Sequence, residues 1–250
     1  MIPLKTEKEI RIMAENGRDL AFIMNELKKR VKPGVTTQEL NRVAETLILN
    51  YGGEPSFKGH EGFPAALCTS INEEVVHGVP SQRKLKLGDI LSLDIGLKRN
   101  GFHSDMAITM AVGDISPDAQ RLVRTAKKAL KRGIKKARPG NTLGDISNTI
   151  QRCIEEQGFG VVKELCGHGI GRELHEEPQI LNYGKRGAGL ALAKGMVICL
   201  EPMVTMGDWR IKKSKDVFGY ITADNSLSAH FEHTIAITDK VPLVLTSLEL

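Results

Sequence analysis

Apolar positions recur at helical spacing in four stretches of the chain and gather into shorter, strand-like runs between them. The first helical stretch opens at Thr6 with Glu9 three residues on, a capping box, and the third follows Ser116-Pro117, an N-cap with proline at the first helical position. Pro-Gly pairs at Pro33-Gly34 and Pro139-Gly140 interrupt the pattern. The spacing predicts helices over about 6–30, 37–51, 117–137 and 143–157. Strand-like runs follow each helix pair: "AALCTSI", "DILSLDIGL" and "FHSDMAITMAV" after the first, "GMVICLEPMV" and "HFEHTIAIT" after the second.

The halves are related. "KRVKPGVTTQELNRVAETLILNYGG" has a partner 106 positions later in "KKARPGNTLGDISNTIQRCIEEQGF", with Pro33 matching Pro139, Gly34 matching Gly140, Thr36 matching Thr142 and Gly52 matching Gly158. A single duplication is not a solenoid, which needs three or more units. Two halves of helix pair plus strands, closing one antiparallel sheet, predict an α+β fold. With no linker between them, residues 1–250 are expected to form a single domain.

Composition narrows the class without naming the chemistry. With 41% hydrophobic and 26% charged residues among 250, the chain reads as an ordinary globular protein whose core, at 4% aromatics, is aliphatic. Cys68, Cys153, Cys166 and Cys199 are scattered without a C-x-x-C, as isolated thiols in a reducing compartment are. "MIPLKTEKEI" is charged where a secretory signal is apolar, and no run reaches membrane-spanning length, so a cytoplasmic protein without membrane contact is expected. The net charge of +5 is concentrated in "RTAKKALKRGIKKARPG", which has eight basic residues and no acidic one. That run reads as the solvated face of an amphipathic helix or as a nucleic-acid contact.

Chemistry enters where carboxylates interrupt apolar strands. In "DILSLDIGLKRNGFHSDMAITMAV" a hairpin centred between Arg99 and Asn100 sets Asp94 opposite Asp105, whereas an Asn100-Gly101 turn makes them diagonal neighbours. Either way they share a face. Directly opposed β-carbons lie about 5 Å apart, and two like charges there ask for a cation. Glu201 in "MVICLEPMV" and Glu232 in "AHFEHTIAIT" repeat the anomaly. "GHGIGRELHEEP" adds two histidines seven apart, His168 among glycines and His175 before Glu176-Glu177-Pro178, unlike the H-E-x-x-H of a zinc-protease helix. Four carboxylates and an imidazole are a hard, oxygen-rich set, enough to bridge two divalent ions, and they point to metal-assisted hydrolysis.

Together with "TSINEEVVHGVP" around His77, these blocks closely resemble the signature blocks of the methionine aminopeptidases, in their short bacterial type I form, from about Lys5 to Asp239. The resemblance implies the pita-bread fold, in agreement with the repeat. Only 31 positions separate Glu201 from Glu232, which leaves no room for the helical insertion of type II enzymes. It implies five metal ligands at Asp94, Asp105, His168, Glu201 and Glu232, with Asp105 and Glu232 bridging two divalent ions (Co, Mn, Fe or Zn). Asp94 would serve one ion, His168 and Glu201 the other. It further implies attack by a metal-bridging hydroxide on the first peptide bond, with Glu201 as general base and proton donor. His175 would hydrogen-bond the substrate carbonyl, and His77 would lie near the scissile amide nitrogen. The glycines beside His168 would let the backbone approach closely. His103, His230 and His233 flank the ligands without an assigned role; alternation sends immediate neighbours of strand ligands to the other face.

The substrate pocket implied by the resemblance comprises Phe57, His60, Phe63, Cys68, His77, His175 and Phe218. His60, Phe63 and Phe218 stand where tyrosine, tyrosine and tryptophan are common in the bacterial enzymes. The wall stays mostly apolar, suited to an unbranched thioether. The chain's own Met1-Ile2 start places a bulky residue second, which should preserve Met1. The expected partners are peptide N-termini and nascent chains, with ribosome contact through the basic helix, and the expected state is a monomer. Prolidase and aminopeptidase P share the fold and metal set but usually carry an N-terminal domain for which this chain has no room. A metal-free relative serving as an interaction module is the other alternative, and the intact ligand set argues against it.

Overall fold

The computed structural model describes residues 2–248; the expectation for Met1 lies outside them. The first half runs through α1 (Glu7–Lys28), α2 (Thr37–Asn50), β1 (Glu54–Pro55), β2 (Leu67–Ile71), β3 (Glu74–Val76), β4 (Ile90–Arg99) and β5 (Phe102–Ala111). The second contains α3 (Pro117–Ile134), α4 (Leu143–Glu155), β6 (Gly160–Val161), β7 (Cys166–Gly169), β8 (Glu176–Leu181), β9 (Val197–Leu200) and β10 (Met203–Thr205). It continues with β11 (Ile211–Lys213), β12 (Tyr220–Thr222), β13 (Ser228–His230), β14 (Glu232–Ala236) and β15 (Leu243–Val244).

The helices start where their caps dictate. Thr6, Thr36 and Thr142 each accept a hydrogen bond from the backbone N–H three residues on, and Glu9, Glu39 and Asp145 return it. Ser116 caps α3 ahead of Pro117. The Pro-Gly pairs end the first helix of each half: Gly34 (φ 91°) and Gly140 (φ 89°) take the left-handed conformation at matching places, as Gly52 (φ 69°) and Gly158 (φ 77°) do after the second helices. Thr36 and Thr142, 106 positions apart, also make matching isolated bridges, to Lys84 and Ala191.

The main sheet runs β1-β4-β5-β14-β9-β7-β8, with β2 on β4 and β15 on β14, and its described pairings are antiparallel. Its centre is the β5–β14 pair, one strand from each half, flanked by β4 on one side and β9 on the other. The expectation of two halves closing one sheet therefore holds. Each strand sorts its residues by the period of two. In β4, Leu91, Leu93, Ile95 and Leu97 pack beneath α1 and α2, and in β9 and β14, Ile198, Leu200 and Ile235 pack beneath α3 and α4. The alternate residues, Asp94 and Gly96 in β4, Asp105 and Ala107 in β5, and Glu232 and Thr234 in β14, are left on the opposite face.

Two predicted strands are broken. The chain leaves the main sheet at Glu201-Pro202 and re-forms as β10, and at Phe231 it crosses from β13 into β14; β10 and β13 pair with each other in a second, three-stranded sheet. Pro202 lacks the N–H a continuous ladder needs. Both breaks fall beside a carboxylate.

Candidate active site

The β4–β5 hairpin turns at Asn100-Gly101, both at positive φ (53° and 77°), and Asp94 lies opposite Ala107 while Asp105 lies opposite Gly96. The two aspartates are diagonal neighbours, the second of the two registers considered. Cys68 of β2 pairs with Asp94, and Glu232 of β14 pairs with Ala107, so Cys68, Asp94, Ala107 and Glu232 form one row across four strands. Asp105 sits one step away, its backbone N–H and carbonyl both bonded to the Thr234 hydroxyl at 2.9 and 2.8 Å. From β7, His168 pairs with Cys199 of β9 and directs its Nε2 at Glu201 Oε1 (3.7 Å) and Glu232 Oε1 (3.9 Å). The structure thus brings the five expected ligands together.

Glycine makes the approach of β7 feasible. A Cβ on Gly167 would stand 2.4 Å from the Cys199 carbonyl oxygen, far inside contact distance. The His168 Nδ1–H donates to the Gly169 carbonyl at 2.8 Å, which leaves the Nε2 lone pair facing the carboxylates. After β7 the chain turns back through Glu176, whose carboxylate accepts from the Arg172 and Glu173 backbone N–H groups and pairs with buried Lys5. That staple sets His175 at the mouth of the site, its ring edge-on to His168 with centroids 4.5 Å apart.

The electrostatics are those of a charge cluster lacking a countercharge. Burial, reinforced by neighbouring carboxylates, pushes Asp105 and Glu232 well above the usual carboxylate range; burial and then Asp94 do the same to Glu201. Burial also raises Asp94 to about 6. Among the described residues no lysine or arginine forms an ion pair with any of the four; the basic groups nearest Glu201 and Glu232 are His168 and His230, both held below the ordinary histidine value by burial. Asp94 Oδ1, Asp105 Oδ1 and Glu232 Oε1 are buried without a hydrogen-bond partner. Such atoms are costly to bury unpaired, and divalent cations relieve that cost. Three overlapping sets, Asp94–Asp105–Glu232, Glu201–His230–Glu232 and His168–Cys199–Glu232, hold candidate ligand atoms within 4.8 Å of one another. The residues fit a centre of divalent metal.

His230 was not singled out from sequence. It is 1% exposed, its Nε2 lies 3.6 Å from Glu201 Oε2, and neither ring nitrogen has a hydrogen-bond partner. The signal was present: His230 stands two residues before Glu232, so period-two alternation gives them one face. His103 and His233 lie apart from the carboxylates, bonded to Ser56 and Thr246.

Above the carboxylates opens a cavity of about 360 Å³. Phe57, His60, Phe63, Cys68, His77, His175 and Phe218 all line it. Phe63 and Phe218 meet edge-on at 5.6 Å, and Gly96 admits Phe57, since a Cβ there would stand 2.9 Å from its ring. His77 is held at φ 59°, and burial lowers it to about 4. Leu174, beside His175, and Tyr220 of β12, two residues after Phe218, also line the cavity and were not singled out from sequence.

A buried carboxylate–imidazole cluster under an apolar cavity, on a duplicated α+β scaffold, defines a metallohydrolase. The model of metallopeptidase family M24 matches residues 11–239, and the chain belongs to that family. It is 49% identical to the methionine aminopeptidase of Clostridium perfringens over 249 residues, all of both chains. The solved methionine aminopeptidase of Thermotoga maritima superposes with a TM-score of 0.97 at 43% identity, covering 99% of this chain and 100% of that one. The prolidase of Pyrococcus horikoshii superposes at 0.79 with 25% identity, and the match covers 98% of this chain but only 64% of the prolidase. Within M24 the chain therefore falls among the methionine aminopeptidases of the short bacterial type, and its activity is removal of the N-terminal methionine.

Proposed function

We propose that the five clustered residues hold two divalent ions, Asp105 and Glu232 between them, Asp94 on one, and His168 with Glu201 on the other. The observation that carries this reading is the set of buried, unpartnered carboxylate oxygens on one face of the central sheet. Iron, manganese, cobalt and zinc all suit such donors. When bound, ions of this kind polarise a carbonyl and lower the pKa of water. Glu201, facing the cavity at the edge of the cluster, accepts a proton as attack proceeds and returns it to the leaving amine. His175 donates to the carbonyl oxygen as it gains charge. His77, neutral at pH 7, lies near the scissile nitrogen. The aromatic wall with Cys68 takes the methionine side chain, which favours an unbranched thioether. A small second residue completes the substrate, drawn from peptide N-termini and nascent chains. The sheet shared by both halves supports a single catalytic domain over residues 1–250. Among the described residues no helix is long and apolar enough to cross a membrane.

The test is hydrolysis of Met-Ala-Ser and Met-Ile-Ser by chelator-treated and metal-restored protein. Activity should vanish on chelation, return with metal and favour the alanine peptide, and Asp105→Asn should resist rescue by saturating metal. Turnover by metal-free protein would remove the binuclear reading.

The basic helix supports contact with ribosomal RNA. Lys127, Lys128, Lys131 and Lys135 are exposed and Lys136 half-buried, and among the described residues none of the five forms an ion pair. Co-sedimentation with ribosomes should fall steeply with salt through counterion release, and should fall further when the five become glutamine. Equal, salt-insensitive binding by both proteins would return this face to solvent.

A further inference from the structure

His175 presents Nδ1 to the Nε2 of His60 at 3.3 Å, and the two rings meet edge-on with centroids 5.0 Å apart. Among the described residues the His175 side chain makes no other hydrogen bond, so its Nε2 is left to the cavity that both histidines line. His60 is aimed by its backbone. It opens a short helical turn, His60–Gly62, whose neighbours Gly59 (φ 87°), Glu61 (φ 46°) and Gly62 (φ 82°) all lie at positive φ, and its N–H bonds the Phe57 carbonyl at 3.0 Å. A loop held in so restricted a conformation presets the ring that it carries.

A neutral imidazole has one donor nitrogen and one acceptor, and the partner of one nitrogen decides the role of the other. If His175 Nδ1 donated to His60, its Nε2 would be an acceptor and could do nothing for a carbonyl oxygen. We propose that His60 is a positioning residue: its Nε2–H donates to His175 Nδ1 and so fixes the tautomer in which His175 Nε2–H points at the substrate carbonyl. The inference rests on the role given to His175 in the reaction.

Two variants that differ by one hydroxyl test it. His60→Tyr offers a donor to His175 and His60→Phe offers none. Loss of a group that orients a working histidine costs about 10–100-fold, so kcat of His60→Phe on Met-Ala-Ser should fall about tenfold or more below that of His60→Tyr, with KM nearly equal. Nitrogen-15 spectra of the metal-free protein should show His175 as the single Nε2–H tautomer in the wild type and His60→Tyr, and as a tautomer average in His60→Phe. Cobalt(II) binding by calorimetry should be alike in all three. Equal turnover by the two variants, or an unchanged His175 signal in His60→Phe, overturns the assignment. If His175→Ala also keeps full turnover, the role of His175 itself falls; if His175→Ala is impaired while His60→Phe is not, only the role of His60 falls.

Discussion

His168 and His175 stand on either side of one hairpin turn, and their surroundings divide their work. His168 is held neutral by burial, its ordinary value brought down to about 3, and its free Nε2 faces Glu201 and Glu232. In His168→Ala, metal affinity and activity should therefore fall together, with partial recovery in excess metal. His175 meets the rings of His168 and His60, and among the described residues it forms no ion pair with a carboxylate. His175→Ala should keep its metal and lose about 10²–10³-fold in kcat, or about 3–4 kcal/mol, the usual cost of one donor to a developing oxyanion. KM should move little, because the neutral ground-state carbonyl uses little of that bond. Calorimetric titration beside steady-state kinetics on Met-Ala-Ser separates the two; loss of metal by His175→Ala would place that residue among the ligands. At this scale the carboxylates were legible because a charge inside an apolar strand is costly without a partner. The roles of the two histidines came from likeness of motif, since nothing in their spacing tells a ligand from a donor. His230 stayed hidden because a histidine, unlike an aspartate, is unremarkable in a buried strand.

The elements that bear the site were read from sequence in proportion to their regularity. The four helices announced themselves through caps and periodicity, and each ends one to three residues short of expectation, the first and third where the last turn gives way before Pro33 and Pro139. The β4–β5 hairpin was legible to within one register step, which the Asn100-Gly101 turn decides. β7 was not foreseen, because "CGHG" has neither the β-branched residues nor the alternation of a strand. Its place in the sheet depends on backbone contact that no propensity encodes: Gly167 lies against the Cys199 carbonyl and Gly169 against the Glu177 carbonyl, with an added Cβ at 2.4 and 2.2 Å. Gly167→Ala should accordingly push β7 away from β9 and carry His168 with it. Overpacking of this kind costs about 1–3 kcal/mol, and the loss should appear in denaturant unfolding of the metal-free protein. Metal affinity should drop in the same variant, although residue 167 contributes no ligand atom. An alanine variant with wild-type stability and affinity would mean that the strand has room to shift without moving the histidine.

At the scale of the whole molecule, the duplication sets the geometry of the centre. Asp94 on β4 and Glu201 after β9 come from the flanking strands of the two halves, and Asp105 on β5 and Glu232 on β14 from the central pair. The approximate twofold axis passes between the strands whose carboxylates are assigned to both ions. The arrangement concentrates negative charge at the seam that joins the halves, so metal and fold stability must be linked. Above about pH 7.5 the six histidines that burial holds below their ordinary value of 6.5 are largely neutral in folded and unfolded chains alike. Asp105, Glu201 and Glu232 are ionised when unfolded, yet in the metal-free fold burial and mutual repulsion keep them protonated well above their ordinary values. The folded metal-free chain thus binds more protons than the unfolded one, and its stability must fall as pH rises through those raised values. Bound metal displaces the protons and removes the slope, adding about 2.7 kcal/mol for a site with free metal at 100 times its Kd. Denaturant unfolding at several pH values from about 7.5 to 8 should show stability declining in chelator and holding level in manganese or cobalt. Keeping below pH 8 avoids the buried thiols Cys68 and Cys199, which burial pushes well above the usual range and which would add a decline of the same sign at alkaline pH. A level profile in chelator would mean that the carboxylates ionise freely without metal, and that the seam between the halves does not depend on it.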